Sequence, residues 1–171
     1  MTTVPDPGAT ELPFGPATTG DVDSLVAIDS DSPRPWSRAA FEEELRRGGT
    51  VFVLRRGGAA VAFAAVRKLG PELDIVNLAV HPEQRRLGFG RILLRALLDQ
   101  AASSGVETVF LEVRESNLGA AHLYGHFGFQ VTQRRPDFYR DPVEAAILLR
   151  LQIGAQNTVE RPKKRVLGSR R

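Results

Sequence analysis

Asn77-Leu78-Ala79-Val80-His81-Pro82-Glu83-Gln84-Arg85-Arg86-Leu87-Gly88-Phe89-Gly90 is the stretch on which the fold turns. Its first half continues the run Ile75-Val76, almost wholly apolar, as a strand buried on both faces would be. His81-Pro82 ends that strand. From about Gly88 to Ser104 the apolar period changes from two to 3.6, and Leu93, Leu94, Leu97, Leu98 and Ala101 form one helical stripe. A glycine-rich turn therefore joins a strand to the N-terminus of a long helix. Glycines let the backbone approach a ligand closely, and the first-turn N–H groups with the helix dipole suit phosphate oxygens. Arg85, Arg86 and Arg91 add positive charge. The plain alternative is a turn carrying exposed arginines. The stretch lacks Gly-Lys-Ser/Thr, so it is not a Walker loop. It also lacks the third glycine of a dinucleotide fingerprint and does not open a βαβ unit.

Outward from this turn the punctuation is regular. Upstream, a helix is expected over about Asp21 to Asp29, with Val22, Leu25 and Val26 on one face. A second starts at Ser37, a good N-cap, with Trp36 and Phe41 placed as a hydrophobic staple, and runs to Arg47 before Gly48-Gly49. Strands Thr50–Arg55 and Ala59–Arg67 flank Gly57-Gly58, and Glu72–Val80 follows Gly70-Pro71. Downstream come strand Thr108–Arg114, helix Asn117–Phe127, strand Phe129–Arg134 and a last strand near Ala145–Leu151. The order α-α-β-β-β-α-β-α-β-β predicts a mixed α/β sheet in one layered domain.

The chain has 171 residues, 42% hydrophobic and 25% charged, which fits one soluble globular domain. It has no cysteine, which excludes disulfides, thiolate metal sites and a cysteine nucleophile. No apolar run is long enough to span a bilayer and no signal peptide is visible, so a cytoplasmic protein without membrane attachment is expected. The net charge of +3 is unevenly placed. Residues 154–171 carry six basic side chains against Glu160, and residues 1–16 carry only Asp6 and Glu11, so residues 17–153 are neutral. We therefore expect an irregular, proline-rich leader over 1–16, a folded domain over 17–153 and a disordered basic tail over 154–171. Nucleic-acid or ribosome contact is expected only through that tail.

Arg85-Arg86-Leu87-Gly88-Phe89-Gly90 resembles the Gln/Arg-x-x-Gly-x-Gly/Ala pyrophosphate loop of the GNAT superfamily of N-acetyltransferases. The preceding Asn77–Pro82, then Leu111-Glu112-Val113-Arg114-Glu115-Ser116-Asn117, Ala121-His122-Leu123-Tyr124 and Phe127-Gly128-Phe129 extend the resemblance over about 17–152. Pro35-Trp36-Ser37 and Arg134-Arg135…Phe138-Tyr139 are similar to the RimI-type ribosomal-protein-alanine N-acetyltransferases. The resemblance implies a single-domain α/β GNAT fold: a mixed, mostly antiparallel sheet with a splayed central strand pair and flanking helices. It implies acetyl-CoA as co-substrate and an amine acceptor, foremost the N-terminus of a protein, a ribosomal protein in that branch. Small-molecule amines are the alternative acceptors, and a non-catalytic binding module is a third reading.

Acetyl transfer needs a grip on the cofactor, a base for the amine, a donor for the oxyanion and an acid for the leaving sulfur. The resemblance places the grip on the backbone of Leu78, Ala79 and Val80, on Asn77, and on Arg85, Arg86, Leu87, Gly88, Phe89 and Gly90. A backbone N–H near Ala79 or Val80 would polarise the thioester. Glu112 lies mid-strand among apolar residues, so its pKa is expected to rise, as suits a general base. A carboxylate paired with Arg114 or another arginine is the other reading. The family puts its proton acceptor at this position. Tyr124 is one of two tyrosines and shares a helical stripe with Asn117 and Ala120/Ala121. A core aromatic and the family's general acid both fit it. Asn117 is an N-cap candidate that the family also uses on pantetheine. Trp36 and Tyr139 are candidate acceptor contacts, with Arg134–Arg140 in the connection before the last strand. There Ala145 replaces an acidic residue that the branch carries. His122 and His126 have i, i+4 spacing, but no further ligand pattern accompanies them and no metal is expected.

Overall fold

The computed structural model describes residues 12–48 and 51–153; the basic tail, most of the leader and Gly49-Thr50 lie outside the described residues. Strand β1 (Phe14–Pro16) is followed by a short 3₁₀ turn at Thr19–Asp21, α1 (Val22–Asp29) and α2 (Arg38–Arg46). Next come β2 (Val51–Arg56), β3 (Ala59–Leu69) and β4 (Glu72–Val80). A second 3₁₀ turn at Pro82–Gln84 leads into α3 (Phe89–Ser103), β5 (Thr108–Arg114), α4 (Leu118–His126), β6 (Gln130–Arg140) and β7 (Val143–Gln152). The sheet order is β1-β2-β3-β4-β5-β7-β6, antiparallel throughout except for the β4–β5 pair.

Local signals act where the sequence places them. Ser37 Oγ accepts from Ala40 N–H at 3.2 Å, and the Trp36 and Phe41 rings sit 5.3 Å apart as the staple. Gly57 and Gly58 both hold positive φ (58° and 87°), as the β2–β3 hairpin turn demands. The α3 stripe is buried under one face of the sheet with Leu111, Val113 and Leu149. On the other face α1 and α2 cover β2 and β3 through Leu25, Ile28, Phe41, Val53 and Phe63.

Three readings are corrected. The leader is not irregular to residue 16: Phe14 stacks on Phe52 at 5.4 Å, and Phe14–Pro16 pairs with β2. Proline masked this strand, yet an edge strand tolerates proline because one row of its backbone groups needs no partner. β4 is not buried on both faces: Val76 is 42% exposed and Asn77–Val80 are half-buried along a cleft. Its apolar run reflects a ligand wall as well as a core. Arg134–Arg140 do not form a connection but belong to β6, whose register slips between Arg135 and Tyr139 around Pro136 and Asp137 (φ 52°).

Candidate active site

The site begins where two central strands part. β4 and β5 pair from Glu72↔Thr108 to Ile75↔Leu111; beyond that β4 pairs with β3 and β5 with β7, and a wedge opens between them. A cleft of about 890 Å³ fills the wedge. His81 N–H bonds Val61 O at 2.8 Å, so the pairs 81/61, 79/63 and 77/65 carry the β3–β4 hydrogen bonds. By alternation the backbone groups of Leu78 and Val80 point away from β3, into the cleft, while those of Asn77 and Ala79 are spent on β3. Arg85 Nε donating to Val80 O at 3.2 Å agrees with this direction. Of the two oxyanion donors considered, Val80 is thus the one whose N–H faces the cleft.

At the floor of the wedge the glycine turn adopts the expected geometry. Gly88 is the N-cap of α3 with φ 85°, and Arg86 also holds positive φ (64°), unusual for a residue with a Cβ. Such alternation of backbone hand points successive N–H groups into one concavity, an anion nest, at the positive end of α3. A Cβ on Gly90 would meet Val80 Cγ2 at 3.5 Å and Leu123 Cδ2 at 3.6 Å, filling the approach between loop and strand. Arg86, Gly88, Phe89, Gly90 and Arg91 line the cleft, and Leu87 is 58% exposed beside it. Arg85 is otherwise engaged: its guanidinium makes a bidentate pair with Asp31 (2.6 and 2.6 Å), tying the α1–α2 connection to the loop. Strand backbone turned away from β3, a left-handed N-cap and the positive end of α3 fit a long thiol cofactor with a pyrophosphate.

Tyr124 comes from α4, where Asn117, Gly119 and Ala120 leave the helix face thin toward the cleft. Asn117 is the N-cap, its side chain accepting from Ala120 N–H at 3.1 Å. The Tyr124 ring packs edge-on against Phe129 at 5.6 Å, and its residue lines the cleft. Burial pushes its phenol up to about 12, so it holds its proton at neutral pH. Glu112 stands across the wedge on β5. It is not desolvated as expected: the side chain is 37% exposed and accepts from Arg135 Nη1 at 3.0 Å. Strand alternation turns it away from the α3 core and toward open solvent, where an arginine from β6 meets it.

The rest of that wall is assembled by charge. Arg114 lies over the Tyr139 ring at 4.0 Å and pairs with Glu144 at 3.1 Å. Glu144 also accepts from Ser116 N–H at 2.5 Å, and these donors hold its carboxyl below the usual range. Burial, reinforced by the Glu112 charge, raises the Tyr139 phenol. Trp36 lines the cleft, and its backbone N–H donates to Asp29 at 2.7 Å.

Asp29 escaped the sequence reading. Only 1% exposed, it also accepts from Asn77 Nδ2 at 3.2 Å, and burial raises its carboxyl. It therefore ties the α1–α2 connection to β4. A signal existed: an acid in the last turn of a helix opposes the dipole and needs local donors. Arg135 was legible only as part of a dipeptide. His122 and His126 are exposed on α4, and His126 meets Phe127 edge-on at 6.1 Å.

The strand wedge, the nest and the helix behind it define a class, and comparison with known proteins agrees. Residues 22–129 match the model of the acetyltransferase (GNAT) family, and the chain belongs to that family. It is an acetyl-CoA-dependent N-acetyltransferase. It is similar to the [ribosomal protein bS18]-alanine N-acetyltransferase of Escherichia coli strain K12, at 37% identity over 121 residues, 70% of this chain and 82% of that protein. It is also similar to the N-alpha-acetyltransferase RimI of Mycobacterium tuberculosis, at 38% over 135 residues, 74% and 84% of the two chains. The crystal structure of the Escherichia coli ribosomal-protein-S18-alanine N-acetyltransferase superposes with a TM-score of 0.77 and 32% identity, covering 87% and 98%. Among the described residues, no helix is long and apolar enough to cross a membrane.

Proposed function

We propose that this protein acetylates the N-terminal α-amine of a polypeptide, an alanine terminus of a ribosomal protein foremost, by direct attack within a ternary complex. The observation that supports the chemistry is that Glu112 and Tyr124 both line one cleft, where β4 and β5 part. The relatives named for alanine N-acetylation of ribosomal protein bS18 support the acceptor. Bound acetyl-CoA supplies the activated thioester.

The chain's residues do the rest. Leu78 and Val80 offer backbone groups to the pantetheine arm, and the turn from Arg86 to Gly90 offers its N–H groups to the pyrophosphate. Val80 N–H stands as donor to the developing oxyanion. Asn117 serves as cap and, in the family's manner, as a contact to the pantetheine amides. Glu112 accepts the proton of the attacking amine, directly or through one water; its half-exposed position gives that water access. Tyr124 keeps its proton and gives it to the departing sulfur as the acid. Trp36 and Tyr139 flank the acceptor.

A panel of N-terminal peptides beside polyamines, aminoglycosides and amino acids, with release of the CoA thiol as readout, tests the proposal. Turnover of alanine-terminated peptides at rates well above every small amine is expected. Preference for a small amine overturns the acceptor, and isolation of a kinetically competent acetyl-enzyme overturns direct attack.

A further inference from the structure

A second cavity, about 520 Å³, opens on the sheet face opposite α3. Its floor is Val76 of β4, Phe110 of β5 and Leu148 of β7; Phe138 and Arg135 of β6 form one side, and Asp74 marks the far end. Strand pairing explains the grouping. Asp74↔Phe110 and Glu112↔Leu148 are register partners, and Leu73, Ile75, Leu111 and Leu149, of opposite parity, are buried in the α3 core. The helices α1 and α2 bury β2 and β3 on this face, and among the described residues none of those buried beneath them comes from β5, β6 or β7. The strip is left open, and its apolar side chains meet water: Val76 and Phe138 are each 42% exposed. Exposed apolar side chains gathered in one concavity mark a binding surface more often than singly scattered ones do.

The two cavities adjoin. Val76, Glu112 and Tyr139 line both, so the second begins at the proposed base and runs away from the cofactor cleft along β5. From Glu112 to Phe110 is two strand residues, about 6.6 Å, which an extended acceptor covers in about two residues. Glu112 and Arg135 are paired with each other, leaving the floor between them and Asp74 apolar. Nothing in that floor would reward a buried polar side chain, whose desolvation would go uncompensated.

We propose that this second cavity is a side-chain subsite for the acceptor polypeptide, taking an apolar or aromatic side chain from the second or third residue after the acetylated terminus. The inference rests on the N-terminal acceptor reading and adds to it a selection rule. Val76, Phe110, Phe138 and Leu148 hold that side chain, and the Glu112–Arg135 pair sits at its near edge, where acceptor binding and the base meet.

The test uses the full chain and alanine-terminated peptides carrying Ser, Leu or Phe at position 2 or position 3, read as kcat/KM from CoA release. At one of the two positions Leu or Phe is expected to exceed Ser by about tenfold or more, the usual discrimination by an apolar pocket, with the gain residing in KM. Phe138→Ala removes a half-exposed side chain, and Val76→Thr keeps the shape while adding a hydroxyl. Each is expected to bring the Leu:Ser ratio below about threefold, and Phe138→Ala, which lies outside the cofactor cleft, does so at unchanged acetyl-CoA affinity. A purely structural effect would instead lower both peptides together and preserve the ratio. A wild-type ratio near one at both positions, or a ratio that survives both variants, overturns the subsite while leaving N-terminal acetylation intact. Failure of every peptide as acceptor overturns the N-terminal reading and the subsite with it.

Discussion

The two walls of the cleft are built by different means. The proposed cofactor wall is nearly contiguous: β4, the glycine turn and the first turn of α3 follow one another in the chain, and the groups it offers are backbone N–H and C=O. The proposed acceptor wall joins β5, β6 and β7 through Glu112–Arg135, Arg114–Glu144 and Glu115–Arg134, while Asp31–Arg85 ties the α1–α2 connection to the glycine turn. Backbone groups can hold a ligand whatever side chains stand above them, whereas side chains can discriminate between acceptors. The first wall is fixed by local dihedrals and the second by long-range ion pairs.

The largest expected effects fall where the walls cooperate. Glu112→Gln and Tyr124→Phe are each expected to lower turnover by about 10²–10⁴, the usual loss for a general base or acid, while calorimetry shows acetyl-CoA binding retained. Near-wild-type rates in both variants would dismiss the assignment and with it the cooperation of the two walls. Leu94→Ala, in the core beneath both, is expected to cost about 2–5 kcal/mol of stability in denaturant unfolding. An effect confined to cofactor affinity would mean that α3 serves only one wall.

Smaller effects should separate the walls. Gly88→Ala places a Cβ at φ 85°, a cost of about 1–2 kcal/mol that is expected to weaken acetyl-CoA affinity and stability with no change in peptide preference. On the acceptor wall, Glu144 and Glu115 have carboxyl groups held low by Ser116 N–H and by Arg134 respectively. A folded pKa below the unfolded value stabilises above the unfolded value near 4.5 and is lost as pH falls through the folded one. Glu144→Gln is therefore expected to flatten the loss of stability below about pH 4.5, measured as Tm against pH. A stability profile identical to wild type would show that this wall does not depend on the pair. Asp31→Asn, which breaks an exposed pair with Arg85, is expected to shift stability by about 1 kcal/mol or less.

What the sequence determined by itself was local or periodic. Gly57-Gly58, Ser37, Gly88 and Asn117 declare their turns and caps because φ and the orphan N–H groups of a helix are satisfied within a few residues. The α3 stripe and the glycine turn together marked the strand-to-helix turn that lines the cleft. Alternation placed Glu112 on the face of β5 away from α3 but did not give its environment, since exposure depends on which helices cover that face, and among the described residues the core under α1 and α2 includes none from β5. Only the tertiary structure showed that β4's apolar run borders a cleft, that Phe14–Pro16 completes the sheet edge, and that Arg134–Arg140 form a strand whose arginines reach β5. It alone joined Asp29 to Asn77 across 48 positions and directed the backbone of Leu78 and Val80, rather than Ala79, into the wedge. Register, burial and ion pairing arise between segments distant in the chain, so no window along the sequence contains them.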